Sequence, residues 1–272
     1  MRLLRLLWAF VVRDAKIAFS YRLQFFFQSA SVLSLSITFF FLSLMMKGVE
    51  GGIVALDRYG GGYFGFVLVG IAFSTYLDAA LRTFSASVRQ AQITGTLEAM
   101  LTTSSPIGAM VFGSALYTLL FTTARVGLFL FLGVFMFGLR LHGEAWLGAV
   151  TVVALTVTAT FALGIFAAGF IVLFKQGDPV SAAVNGLSWL LSGVLYPKEI
   201  LPDWVQDVAD LLPMTHTLEA VRLAILTGAP LADLMGAVTY LGGFSAVGIP
   251  VSLAWFSWAV KRARVAGSLA SY

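Results

Sequence analysis

The sequence predicts an all-α integral membrane protein with six transmembrane helices. Three observations carry this. Of 272 residues, 59% are hydrophobic and only 11% are charged, and the mean hydropathy is +0.92. A soluble domain carries roughly 25% charge, so this chain lacks the polar groups to cover itself in water. The apolar residues also fall in continuous runs near the roughly 20 residues that a helix needs to cross the hydrocarbon core. They lack the period-two alternation of a membrane barrel. Finally, the basic residues are distributed unevenly between the two sides that such runs define.

The six candidate spans are 23–46, 63–84, a stretch within 106–139, 145–174, 179–196 and 234–260. They form one transmembrane domain, 1–272, with both termini on the same side. Eleven basic residues fall on that side, among them Arg82, Arg89, Lys175, Lys261, Arg262 and Arg264; five fall on the other. The positive-inside rule then puts both termini in the cytoplasm, and the expected location is the inner (plasma) membrane. Most acids, including Glu144, Asp203, Asp207, Asp210 and Glu219, fall outside.

Residues 1–22 lack the long apolar run and small-residue cleavage site of a signal peptide. At 100° per residue, Arg2, Arg5, Arg13, Lys16 and Ser20 share an arc of about 80°, opposite a face containing Leu7, Trp8 and Phe10. This suits an amphipathic helix on an anionic cytoplasmic leaflet; a simple extension of the first span is the alternative. Residues 85–105 form a cytoplasmic loop. Thr94 can cap a short helix there and Pro106 can open the next one. By composition alone it is an ordinary loop.

The segment 197–230 is the most distinctive. Gly193 and Pro197 interrupt the fifth span near the outer interface. Trp204, Val205, Val208, Leu211 and Leu212 then follow at helical spacing. Thr215 or Thr217 can cap a further helix in which Glu219 and Arg222 form an i,i+3 pair. Broken helices at membrane depth must be buried in protein or line a cavity, so short external, re-entrant helices are expected between spans five and six. His216 has no carboxylate or cysteine at metal-ligand spacing, which favours a structural polar contact, and no metal site is expected. No Ser-His-Asp order, catalytic carboxylate pair or HExxH motif is present, so no catalytic residues are assigned.

Two ionisable residues fall within spans. Asp78 precedes Arg82 by four residues, a favourable helical pair near the cytoplasmic interface. Arg125 lies near the middle of the third span. It is either a functional site or a bond to a carbonyl that locks two helices. Small residues at Ala162, Gly164, Ala167, Ala168 and Gly169 permit close helix contact, although membrane composition alone accounts for them. Cysteine is absent, which removes disulfides and thiolate metal sites. No nucleic-acid motif appears.

These features together resemble the membrane permeases of type-2 ABC exporters. The resemblance rests on the six-span layout after a basic amphipathic segment, and on Gly95, Thr96, Leu97 and Glu98 followed by LTTSSP. It rests further on SGVLYPKEILPDW and LLPMTHTLEAVRLAIL, whose signature is Pro213, Thr215, His216, Glu219 and Arg222. It implies a homodimer of this chain in the lipid bilayer, joined by two copies of a soluble ABC ATPase. It implies that Gly95, Thr96, Leu97 and Glu98 couple to the ATPase, and that spans one, two and five line the pathway between protomers. Gln92 stands where many relatives carry a charge. The segment 192–222 is more similar to drug- and lipid-exporting members, which implies an amphipathic or lipid-like cargo. The chain has no GxxxxGK[ST] loop, so ATP and Mg would be bound by the partner and this chain would not itself be an enzyme. The alternatives are an ion-gradient-driven secondary transporter, which would show inverted repeats and midplane carboxylates, and a non-transporting membrane scaffold.

Overall fold

The computed structural model describes residues 22–46, 54–60, 62–93, 107–174 and 179–265, together with Val12 and Lys16. Among these the chain is mostly helical and forms no strand. The helices are α1 (Arg22–Met46), α2 (Tyr63–Ile93), α3 (Ile107–Phe137), α4 (Trp146–Phe174), α5 (Pro179–Leu191), α6 (Asp203–Ala209), α7 (Pro213–Arg222) and α8 (Met235–Val265). Short 3-10 turns at Val54–Tyr59, Lys198–Ile200 and Leu231–Leu234 gather at one end of the bundle, with α6 and α7. That end is called here the loop-rich end.

Four helical stretches are long and apolar enough to cross a membrane: Tyr63–Ala86, Ala115–Phe137, Trp146–Phe174 and Leu231–Ala263. In α1 the stretch Ala30–Met46 is apolar but shorter. The fifth expected span differs most. Its helix, α5, has 13 residues, about 20 Å at 1.5 Å per residue, against a hydrocarbon core of about 30 Å. The helix stops at Leu191 because Gly193 takes a left-handed φ of 72°, a conformation that a residue with a Cβ rarely adopts. Tyr196 seals the turn, its hydroxyl donating to the carbonyl of Leu190.

Helix α2 is the hub. Its apolar stretch is 83% buried, against 22% for that of α3 and 17% for that of α8. It packs on α1, α3, α4, α5 and α7. The expectation that the second span lines an intersubunit pathway therefore does not fit most of its length, which the protomer's own helices cover. Helix α4 lies between α2 and α8, and its glycines explain how closely. A Cβ on Gly164 would stand 2.8 Å from the carbonyl of Ala80 and 2.6 Å from the ring of Phe84, both on α2. On α8, the Trp255 indole sits where a Cβ of Gly169 would be and donates to the carbonyl of Phe166 at 3.1 Å. The small-residue stripe is thus a close-packing surface, beyond simple membrane composition.

Polar pairs pin these contacts. Thr158 meets Ser245 at 2.9 Å between α4 and α8, Ser85 meets Ser181 at 3.1 Å between α2 and α5, and Tyr76 donates to Thr123 at 3.0 Å between α2 and α3. At the loop-rich end Phe40, Phe64 and Phe137 meet from α1, α2 and α3 in edge-on and tilted contacts, with centroids 4.8–5.6 Å apart.

Helix α2 runs nine residues past the expected end of the second span. Residues 85–93, expected as loop, continue it to Ile93. Residues such as Ala91, Arg89 and Gln92 give no apolar signal but have good helix propensity. The amino-terminal segment, apart from Val12, Lys16 and Arg22, lies outside the described residues. So do Thr94, Gly95, Thr96, Leu97, Glu98 and Pro106.

Candidate functional site

The most organised polar site lies at the loop-rich end, around Arg222. Helix α7 begins at Pro213, whose fixed φ suits the first helical position and whose missing N–H would be unbonded there in any case. Leu212 is its N-cap. This corrects the expectation that Thr215 or Thr217 caps the helix. Both are inside it, buried, and bond elsewhere. Thr215 Oγ1 donates to the carbonyl of Ala209 at 2.6 Å, tying α7 to α6. Thr217 Oγ1 donates to Pro213 at 3.0 Å and meets Thr156 Oγ1 at 3.0 Å. Thr156 lies ten residues into α4, about 15 Å from its start. After Arg222 the helix widens into a π turn, Leu223–Thr227, and ends at Gly228 with φ 70°. Single π turns inside helices mark functional sites frequently.

The helix delivers Arg222 into the core, where it is 2% exposed. Its Nε donates to the carbonyl of Phe66 at 3.1 Å and its Nη2 to that of Val194 at 3.0 Å. The guanidinium lies over the Phe66 ring at 3.4 Å from the centroid, with the Tyr59 ring at 5.9 Å. A buried arginine needs donors satisfied and charge offset. The carbonyls and ring quadrupoles do this here. Burial, reinforced by Glu199 and Glu219, pushes the Tyr59 phenol up to about 12. Gly70 makes room: a Cβ there would stand 2.5 Å from Arg222 Nη2 and closer still to the Val194 oxygen.

Arg222 therefore joins three elements: α2, the turn after α5, and α7. It does not pair with Glu219 as the i,i+3 spacing suggests. Glu219 reaches Arg58 at 2.5 Å and Lys198 at 3.9 Å. Lys198 also holds Asp210 at 2.5 Å, and Arg58 lies 3.8 Å from Glu199. The i,i+3 pair loses because a guanidinium in the core gains two carbonyls, while Glu219 finds cations nearer the surface. His216 stacks on Tyr240 of α8, with centroids 3.8 Å apart. Its Nε2 lies 2.9 Å from the Asp210 carbonyl, so that nitrogen carries the proton. Every contact of Arg222 is to a carbonyl or a ring. Its chemistry is that of a clamp.

A second polar cluster joins α2 to α5, with the Arg82 side chain exposed. Arg82 Nε donates to Asp78 Oδ1 at 2.7 Å, the expected i,i+4 pair. Asn185 Nδ2, from α5, donates to the same oxygen at 3.2 Å. Arg125, on α3, keeps its Nε buried without a hydrogen-bond partner among the described residues. Asn185 was not singled out by the sequence, nor were Tyr59, Phe66, Gly70 and Val194 around Arg222. Each is an ordinary residue made special by chain that is distant in sequence.

The fold and these sites define a multi-pass membrane protein with a clamped, interrupted helical segment between its last two apolar runs. Comparison with known proteins agrees. The family model "ABC-2 type transporter" matches residues 5–226, and the chain belongs to that family. It is 28% identical over 196 residues to "Nodulation protein J" of Rhizobium leguminosarum bv. trifolii, covering 70% of this chain and 72% of that protein. As a member of this family it is the membrane component of an ABC transporter.

Proposed function

We propose that this chain is the membrane subunit of an ABC exporter. It works as a homodimer with two copies of a separate ATPase and moves an amphipathic or lipid-like substrate. The loop-rich end faces outward and both termini are cytoplasmic. The chain crosses six times. The fifth crossing is completed by the half-helix α5 and the 192–230 segment, whose helix α7 re-enters the outer half of the bilayer. The contact between Thr217 and Thr156 supports this depth.

One observation carries the mechanism. Helix α2 is unbroken from Tyr63 to Ile93, about 46 Å. Its outer end is clamped by Arg222 through Phe66. Its inner end lies two residues before Gly95. Closure of the ATPases on Gly95, Thr96, Leu97 and Glu98 pushes on a rod whose far end holds the external helices. A packed bundle moves by rigid-body shifts, so the displacement reaches the outer side. The energy comes from the partner, which supplies the phosphate-binding loop, ATP and Mg.

The test is purification from native cells in mild detergent, with identification of co-purifying subunits. A stoichiometric soluble ATPase is expected. Scrambling residues 95–98 should release it while the permease keeps its melting temperature. Absence of any ATPase from an intact complex would overturn the reading and leave an ion-coupled transporter.

A further inference from the structure

We propose that the surface shared by α4 and α8 binds an anionic phospholipid, with its headgroup on Lys261 and Arg262 and an acyl chain along the aromatic strip that leads to them. The inference rests on the transport reading above only for the leaflet, which is the cytoplasmic one.

The strip is built from both helices. Phe166, Phe170 and Phe174 stand at every fourth position of α4, with successive centroids 5.3 and 6.0 Å apart. Trp255 of α8 lies 5.6 Å from Phe166 and 5.0 Å from Phe170, and Trp258 stacks on Trp255 at 5.2 Å. The Trp255 indole is fixed twice, by its bond to the Phe166 carbonyl and by its seat against Gly169. The strip is therefore held in place before anything binds. Its rings stay open to the outside: Phe174 is 65% and Trp258 48% exposed. Ala259, Val260 and Ala263 take a different, buried face of α8.

Two cations lie at one end of this strip. Thr158 meets Ser245, 87 residues further on, and the Phe166 carbonyl meets Trp255, 89 residues further on, so α4 and α8 run parallel. That offset sets Lys261 level with Phe174, the last residue of α4. The Arg262 guanidinium lies 5.9 Å from the Trp258 ring centroid, a contact that holds it beside the strip. Lys261 and Arg262 are exposed, and neither has an ion-pair partner among the described residues. Helices α4 and α8 contain no acid. From Phe166 to Phe174 is about 12 Å, most of the roughly 15 Å of one leaflet's hydrocarbon.

These features select the occupant. It must place an anion at the interface and an apolar chain at membrane depth, and a phospholipid carries both. Two unpaired cations favour a lipid of net negative charge over phosphatidylcholine, whose ammonium offsets its phosphate. A second copy of this chain fits less well. A two-fold contact through the same patch would bring Lys261 and Arg262 of both copies to one depth, where like charges repel. An ordinary aromatic belt anchors a helix at the interface without distinguishing headgroups, and that difference is measurable.

The experiment uses the full chain, purified with its partner subunits and reconstituted in phosphatidylcholine vesicles. Phosphatidylglycerol or phosphatidylcholine brominated on the acyl chain is titrated in, and quenching of tryptophan emission is followed. The part of the quenching that Trp258→Phe removes reports this site. Brominated phosphatidylglycerol should bind there about tenfold more tightly than brominated phosphatidylcholine, within reach of two basic residues at a membrane surface. Lys261→Gln combined with Arg262→Gln should bring that ratio to about one, while Lys261→Arg combined with Arg262→Lys should keep it. A wild-type ratio of about one, or no quenching that depends on Trp258, overturns the proposal whether or not the variants fold. A ratio that survives the double glutamine change also overturns it, because the preference then lies elsewhere, as on the basic amino-terminal segment. So does a ratio lost equally in both double variants, which ties it to packing and not to charge. The titration needs no ATP, and co-purification of the ATPase is read separately, so failure here leaves the transport reading standing.

Discussion

Replacing Arg222 is the most informative perturbation of the loop-rich end. The side chain supplies two hydrogen bonds from a charged donor, to Phe66 and Val194. Each is worth about 1.5–3 kcal/mol. The face contact with Phe66 at 3.4 Å adds about 2 kcal/mol when desolvated. Removing the charge also relieves its desolvation, which offsets a large part of the sum. The expected net loss for Arg222→Ala is about 3 kcal/mol, or about 6–12 °C in melting temperature at 2–4 °C per kcal/mol. Arg222→Lys keeps the charge, but one ammonium cannot span two carbonyls and cover a ring, so it should lose about 2 kcal/mol. Arg222→Met fills similar space without a charge to desolvate and should be milder than alanine. The assay is thermal unfolding of the detergent-solubilised protein followed by tryptophan fluorescence. An alanine variant melting within about 2 °C of wild type would refute the idea that Arg222 holds α2, the 192–196 turn and α7 together.

Three further outcomes follow from named contacts. Gly70→Ala places a methyl against Arg222 Nη2 and the Val194 oxygen, so it should cost about 1–3 kcal/mol; its loss combined with Arg222→Ala should be less than additive, as measured by a double-mutant cycle. Gly164→Leu must push α4 off Ala80 and Phe84 and should lower the melting temperature by more than Gly127→Leu, where an added Cβ meets nothing within 4 Å. Tyr59 has a folded pKa raised from 10 to about 12. Its contribution is fully present below pH 10 and lost as pH rises to 12, so Tyr59→Phe should flatten the fall in stability across that window in a pH-dependent denaturation series.

Much of the fold was legible because the bilayer imposes a simple code. Helices α1, α3, α4 and α8 begin and end within a few residues of their apolar runs, except that α8 continues five residues further, to Val265. The break at Gly193 was legible because glycine and proline punctuate chains locally. The start of α7 was misread since Pro213, at the first helical position, outranks the two threonines that resembled caps. The extension of α2 was missed since hydrophobicity reports the membrane boundary and not the helix boundary. Arg222 was singled out by its motif, but its partners were out of reach. Phe66 lies 156 residues away, and no local pattern encodes that pairing. The same holds for Asn185 against Asp78, 107 residues apart.

The central claim is that ATP bound on the cytoplasmic side moves the external helices through α2. The chain has no cysteine, so an introduced Asp207→Cys on α6 can be labelled uniquely with an environment-sensitive fluorophore. The labelled chain, reconstituted with its ATPase, would be trapped with ATP and vanadate. The account predicts a change in emission on trapping, lost when residues 95–98 are scrambled. Emission that stays constant while ATP is hydrolysed would contradict it.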